Sequence, residues 1–207
     1  MTTYKMVILG DTTVGKSSII NALNGNPIND KHHETVGTDF MNMIINKTKY
    51  YVWDTAGHDR YRSLSYIYIR DANILLIVFD IMNTNTIDVA IEYITKIEDT
   101  LLLGTYDIIL ICNKTDLIDN FDTNSESLKK NLFKKYPILE EYVMIFISAK
   151  NNNDILCLTN LITEKTNIIA NNQSKYKKNK KYEIYDDLNN YNNSNTNCCK
   201  INYCALL

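Results

Sequence analysis

The chain has 207 residues, 45% hydrophobic and 22% charged, ordinary values for a soluble protein with one sizeable core and room for a tail. Its net charge of −2 carries no overall nucleic-acid signal, and no nucleic-acid partner is expected. The charge is uneven: residues 171–207 hold six Lys against three Asp and Glu, a local +3 that leaves −5 on the remainder, and a basic stretch of that kind suits an anionic membrane surface.

The opening MTTYKMVILG has neither the apolar length nor the cleavage pattern of a signal peptide, so none is expected. Thr2 stands where N-myristoylation requires glycine, so that modification is not expected. Within this stretch YKMVIL (Tyr4–Leu9) is β-rich and stops at Gly10, a first strand. SSIINALN (Ser17–Asn24) has helical spacing, with Ile20 and Leu23 one turn apart. DFMNMIIN and TKYYVW read as two strands joined by a tight turn near Asn46–Lys47, a β-hairpin. NILLIVFD (Asn73–Asp80), YDIILICN (Tyr106–Asn113) and YVMIFIS (Tyr142–Ser148) are continuous apolar runs, the mark of strands buried on both faces.

Helical patterns at Ile87–Leu103, Ser125–Tyr136 and Asp154–Ala170 fall between and after these strands. The alternation predicts a doubly wound α/β domain over residues 1–170, built on a mostly parallel sheet with helices on both faces. Ligands of such sheets bind at the carboxyl ends of the strands, where Gly10, Asp54, Asn113 and Ser148 all stand. The longest apolar stretch, ANILLIVF, is far shorter than the roughly 20 residues of a membrane span, and a cytosolic body is expected. Cys112 and Cys157 sit in apolar segments and read as buried small hydrophobes. The other three of the five cysteines crowd into the last ten residues, which does not suggest a disulfide framework. After Ala170 the chain turns rich in Asn, Lys and Tyr with few aliphatics, so residues 171–207 are expected to be a disordered tail.

Three short motifs carry chemistry. GDTTVGKS (Gly10–Ser17) matches G-x-x-x-x-G-K-[ST] between a strand and a helix. Gly10, Asp11, Thr12, Thr13, Val14 and Gly15 would present consecutive backbone N–H groups to a phosphate, and the helix opening at Lys16, Ser17 and Ser18 adds its positive end. Lys16 would reach the β- and γ-phosphates and the Ser17 hydroxyl would ligate Mg²⁺. NKTD, with Asn113, Lys114 and Asp116, follows a buried strand, and the Asp116 carboxylate can accept from guanine N1–H and the exocyclic amine together. Adenine offers no such pair, and an unpaired buried carboxylate is costly, which opposes an ATP-dependent kinase reading. SAK (Ser148, Ala149, Lys150) would add a backbone N–H toward guanine O6.

Together GDTTVGKS, TVGTDF, WDTAG, NKTD and SAK resemble the five nucleotide-binding motifs of Ras-superfamily small GTPases, over residues 4–170. VGTDF, RYRSL and YIRDA are most similar to the Rab branch. The resemblance implies a P-loop G domain with a six-stranded, mostly parallel sheet and one antiparallel edge strand. It also implies a Mg²⁺-dependent GTP/GDP switch that hydrolyses GTP and regulates vesicle traffic, and a monomer is expected. Thr35 is carried over as the switch I ligand of Mg²⁺ and γ-phosphate, Asp54 as the Mg²⁺-side carboxylate, and Gly57 as a backbone donor to the γ-phosphate. The metal set is thus Ser17, Thr35 and Asp54; the catalytic set is Lys16, Thr35, Gly57 and His58. Exchange factor, activating protein and effectors are expected at Thr35–Phe40 and Gly57–Leu64.

Three departures from the family pattern stand out. The Phe40–Trp53 hairpin is about four residues short of the usual Rab spacing, so effector specificity is not carried over. Ile28 replaces the usual aromatic over the base, which predicts weaker clamping and faster nucleotide release unless Tyr4 or His32 covers the base instead. His58 replaces the water-orienting glutamine, whose amide donates and accepts at once, whereas a neutral imidazole does so only on opposite ring edges. Slow intrinsic hydrolysis is expected, with Thr12 adding bulk beside the γ-phosphate; an exposed histidine with no role is the alternative.

The chain ends Cys204-Ala205-Leu206-Leu207, a C-a-a-X pattern whose terminal Leu favours geranylgeranyl. One lipid anchors weakly, so a second signal is expected from palmitoylation at Cys198 and Cys199 or from the basic KYKKNKK. The protein is then expected on the cytoplasmic face of an intracellular membrane, or in the cytosol when not anchored. Its functional alternative is a largely GTP-loaded platform that recruits effectors to that membrane.

Overall fold

The computed structural model describes residues 2–27, 35–101 and 106–178. Six strands form one sheet: β1 (Thr3–Gly10), β2 (Thr38–Ile45), β3 (Thr48–Thr55), β4 (Ile74–Asp80), β5 (Asp107–Asn113) and β6 (Val143–Phe146). Their order is β2-β3-β1-β4-β5-β6. Every neighbouring pair is parallel except β2 with β3, so β2 is the antiparallel edge. This is the expected α/β architecture. The hairpin closes where the sequence places it: Ile45 pairs with Thr48, and Asn46 and Lys47 both take positive φ, 45° and 67°, the conformation that a two-residue turn matched to strand twist demands.

Alternate residues of each inner strand feed two cores. Met6 and Ile8 of β1, with Ile74, Leu76 and Val78 of β4, pack under α1 (Lys16–Leu23) and α5 (Asn152–Lys178) through Ile20, Leu158, Leu161 and Ile162. The intervening Val7, Leu9, Leu75, Ile77 and Phe79 pack on the other face against Ile69 of α2 (Asp59–Ile69) and Tyr93, Ile94 and Ile97 of α3 (Asn85–Thr100). Leu132 and Phe133 of α4 (Phe121–Lys135) lean on the same core. Burial of both faces explains why these strands read as unbroken apolar runs. Cys112 and Cys157 are buried, one in each core.

Three differences from the sequence reading have physical causes. Helix α2 is unpredicted, because Leu64 and Ile67 are exposed and only Ser65 and Ile69 are buried, leaving no clean apolar stripe. Helix α5 passes the boundary expected at Ala170 and runs to Lys178. Asn171–Lys178 contains no Pro or Gly to stop it; residues 179–207 of the expected tail lie outside the described residues. Tyr4 does not overhang a ligand site: it is buried on β1, tilted against Tyr50. Ile28, His32, Cys198, Cys199 and Cys204 lie outside the described residues. Among the described residues no helix is long and apolar enough to cross a membrane.

One buried hydrogen bond ties α5 to the sheet. The Thr166 hydroxyl donates to Ile162 O at 2.7 Å, so the fully buried Tyr50 hydroxyl donates to Thr166 Oγ1 at 2.8 Å. Thr166→Val strands the Tyr50 hydroxyl and is expected to cost about 1–3 kcal/mol in urea unfolding. Tyr50→Phe leaves Thr166 bonded to Ile162 and should cost less, about 1 kcal/mol.

Candidate functional site

At the carboxyl ends of β1, β3 and β5 a cavity of about 580 Å³ opens, within the range of small-molecule sites. One end is the loop between β1 and α1. Gly15, in the left-handed region at φ 99°, begins α1, and a Cβ there would lie 2.3 Å from Asn113 Nδ2, so only glycine fits. Thr12, Thr13, Gly15, Lys16, Ser17 and Ser18 line this end. Gly10, Asp11 and Val14 shape the loop from behind: Val14 is buried, and Asp11 Oδ1 accepts from the Thr12 N–H at 2.7 Å.

Lys16 is folded back on its own loop, its Nζ donating to Gly10 O at 3.1 Å and Asp11 O at 2.7 Å. Burial lowers its pKa to about 8, opposed by the nearby Asp54 and Asp11 carboxylates. Beyond it, the Ser17 and Thr35 hydroxyls meet at 3.1 Å. The Ser17 hydroxyl also bonds the buried Asp54 carboxylate, whose pKa is raised by burial despite that bond and Lys16. Asp54 Oδ1 is buried without a hydrogen-bond partner. Two hydroxyls beside a buried, unsatisfied carboxylate oxygen form an all-oxygen donor set that suits a small hard cation such as Mg²⁺. Among the described residues no cluster of three or more His, Cys, Asp or Glu competes as a metal site.

Gly57 closes over this end. A Cβ on it would sit 2.4 Å from the Asp11 carbonyl and the Thr12 nitrogen. His58 follows as N-cap of α2, its Nδ1 accepting from Arg60 N–H at 3.3 Å, with its ring edge-on to Tyr61 at 6.4 Å. Val36, Arg60, Tyr61 and Leu117 also line the cavity; sequence reading missed them, although Arg60 and Tyr61 lie just past WDTAG and Leu117 just past NKTD.

The far end is built from the loops after β5 and β6. Asn113 Nδ2 donates to Val14 O at 2.8 Å and its Oδ1 accepts from Ala149 N–H at 3.1 Å, joining both ends. Asp116 Oδ1 accepts from the Ser148 hydroxyl at 2.6 Å, and Ser148 Oγ in turn accepts from Lys150 N–H at 3.2 Å. Lys150 Nζ stands 3.9 Å from Asp116 Oδ2, largely in solvent, where such a pair adds little. Lys114 also lines this end.

Residues 5–168 match the model of the Ras family. This chain belongs to the Ras family. It is 32% identical to the GTP-binding protein YPT52 of Saccharomyces cerevisiae over 143 residues, 63% of this chain and 61% of that protein. It is 29% identical to the Ras-related protein Rab-18 of Lymnaea stagnalis over 171 residues, 80% and 81% of the two chains.

The Lys16 environment sets a pH signature for this Ras-family chain. In the anion-free folded state Lys16 releases its proton near pH 8, against a reference value of 10.5. Below pH 8 the native state bears the full cost of a buried charge; as pH rises from there toward 10.5 that cost disappears. Protein stripped of bound anions should therefore gain stability relative to Lys16→Met across that window, measured by chemical unfolding at stepped pH.

Proposed function

We propose that the chain is a guanine-nucleotide switch that binds GTP and GDP, hydrolyses GTP, and serves vesicle traffic at an intracellular membrane. The observation that carries this reading is one cavity lined at one end by Lys16, Ser17, Thr35 and Gly57 and at the other by Asp116, Ser148 and Ala149. A phosphate chain fits the first end, where Lys16 Nζ can exchange its two carbonyl acceptors for phosphate oxygens. A guanine edge fits the second, where Asp116 accepts two N–H groups and Ala149 lies beside the base. Ser17, Thr35 and Asp54 would hold Mg²⁺, which when bound would neutralise charge developing on the phosphates. Thr35 and Gly57 sit on the segments that change conformation with the γ-phosphate in the proposed switch.

His58 favours slow intrinsic hydrolysis. Its Nδ1 is taken as an acceptor by the α2 cap, so the neutral ring offers only Nε2–H toward the cavity. A ring that can only donate cannot take up the water proton while orienting it. Misplacement by an ångström costs on the order of 100-fold, and Thr12 crowds the same end. The same observation supports a second reading, in which the protein stays GTP-loaded and recruits effectors as a membrane-attached platform.

Nucleotide released from purified protein tests both: mostly GDP is expected of a cycling switch and mostly GTP of a platform, while an adenine nucleotide contradicts either. In single-turnover assays His58→Gln is expected to raise the unstimulated rate by roughly 10- to 100-fold; equal rates refute the assigned role of His58.

A further inference from the structure

Asp80, the last residue of β4, is almost completely buried, yet no phosphate-loop or base-recognition motif includes it. Its surroundings are built to fix it. Asp80 Oδ1 accepts from Met82 N–H at 2.9 Å, and Asp80 N–H donates to Thr86 Oγ1 at 2.9 Å. The following Ile81 N–H donates to Asn113 O at 3.2 Å, locking the turn to the end of β5. The remaining oxygen, Oδ2, accepts from Lys114 Nζ at 2.6 Å, with the two side chains 10% and 29% exposed. Lys114 is in the left-handed region, φ 69°, and lines the cavity beside Asp116.

These contacts divide Lys114 in two. Its ammonium is bonded to the Asp80 carboxylate, which does not line the cavity. Lys114 itself lines the cavity at the end where Asp116 and Ser148 stand, so with its tip held its aliphatic stem is the part available to a ligand there. A lysine stem pinned at its charged tip is an apolar rail, and a ligand lying on it meets hydrocarbon rather than a mobile charge.

We infer that Asp80 is a positioning residue for the base end of the site, holding the Lys114 ammonium so that the Lys114 stem supports the flat face of a purine. The inference rests on the guanine-nucleotide reading above and extends it to a residue outside the motifs. With Asp80 neutral, the ammonium is released, the stem gains rotamer freedom, and the platform must be re-ordered each time a base binds.

The test is the dissociation rate of a fluorescent GDP from the full chain, for wild type, Asp80→Asn, Lys114→Met and the double variant. Asparagine keeps the Oδ1 acceptor for Met82 N–H, so the turn survives, and thermal unfolding checks that it does. Asp80→Asn is expected to speed GDP release roughly tenfold in the wild-type background. In the Lys114→Met background, with no ammonium to hold, it is expected to have little further effect. Release at the wild-type rate, or equal acceleration in both backgrounds, overturns the inference alone. Wild-type protein that binds no guanine nucleotide overturns the functional reading and this inference with it.

Discussion

The Asn113 side-chain amide spans the two loops that the rest of the site depends on. It donates to Val14 O and accepts from Ala149 N–H, so a single buried group sets the distance between the phosphate-loop end and the base end of the cavity. The arrangement imposes its own sequence constraint. Nδ2 occupies the place where any side chain at position 15 would begin, so the second loop glycine is required by the amide as well as by backbone φ. Removing either amide atom would leave a buried backbone partner unsatisfied, a cost of about 1–3 kcal/mol, and would also uncouple two loops separated by most of the chain.

The opposite end of the cavity stores the complementary charges under burial. Lys16 and Asp54 are both inside, and burial pushes each toward its neutral form. Neither is fully satisfied by the protein: Lys16 rests on two carbonyls and Asp54 Oδ1 on nothing. A polyanion beside the first and a hard cation beside the second would relieve both strains at once. That gives the proposed nucleotide and metal a shared physical basis in this chain's own side chains. His58 belongs to a different logic. Its ring nitrogen serves the α2 cap, and its contribution is to the geometry of the helix start as much as to the cavity.

What the sequence made legible follows from the range of each signal. The unbroken apolar runs of β4 and β5 report burial on two faces, and they are seen as such. The phosphate-loop and NKTD segments are local, each within a few residues of a strand end, so their place around one cavity could be expected from topology. Helix α2 escaped because Leu64 and Ile67 face outward and Ile69 alone of its aliphatic residues is buried. The end of α5 escaped because composition separates polar chain from core but does not mark where a helix stops. Pairings across sequence were invisible. Asp80 and Lys114 are 34 residues apart, and Asn113 and Val14 99 apart, and no local pattern announces either.

In the proposed switch Asp116 and its neighbours select guanine at one end of a cavity whose other end takes phosphates. Displacement of fluorescent GDP by unlabelled GDP, inosine diphosphate and ADP measures this most directly. Inosine lacks the exocyclic amine and so forfeits one charge-assisted hydrogen bond to Asp116, worth about 1.5–3 kcal/mol. Inosine diphosphate is expected to compete roughly 10- to 150-fold less well than GDP, and ADP far less well than either. ADP displacing the probe as well as GDP would contradict it.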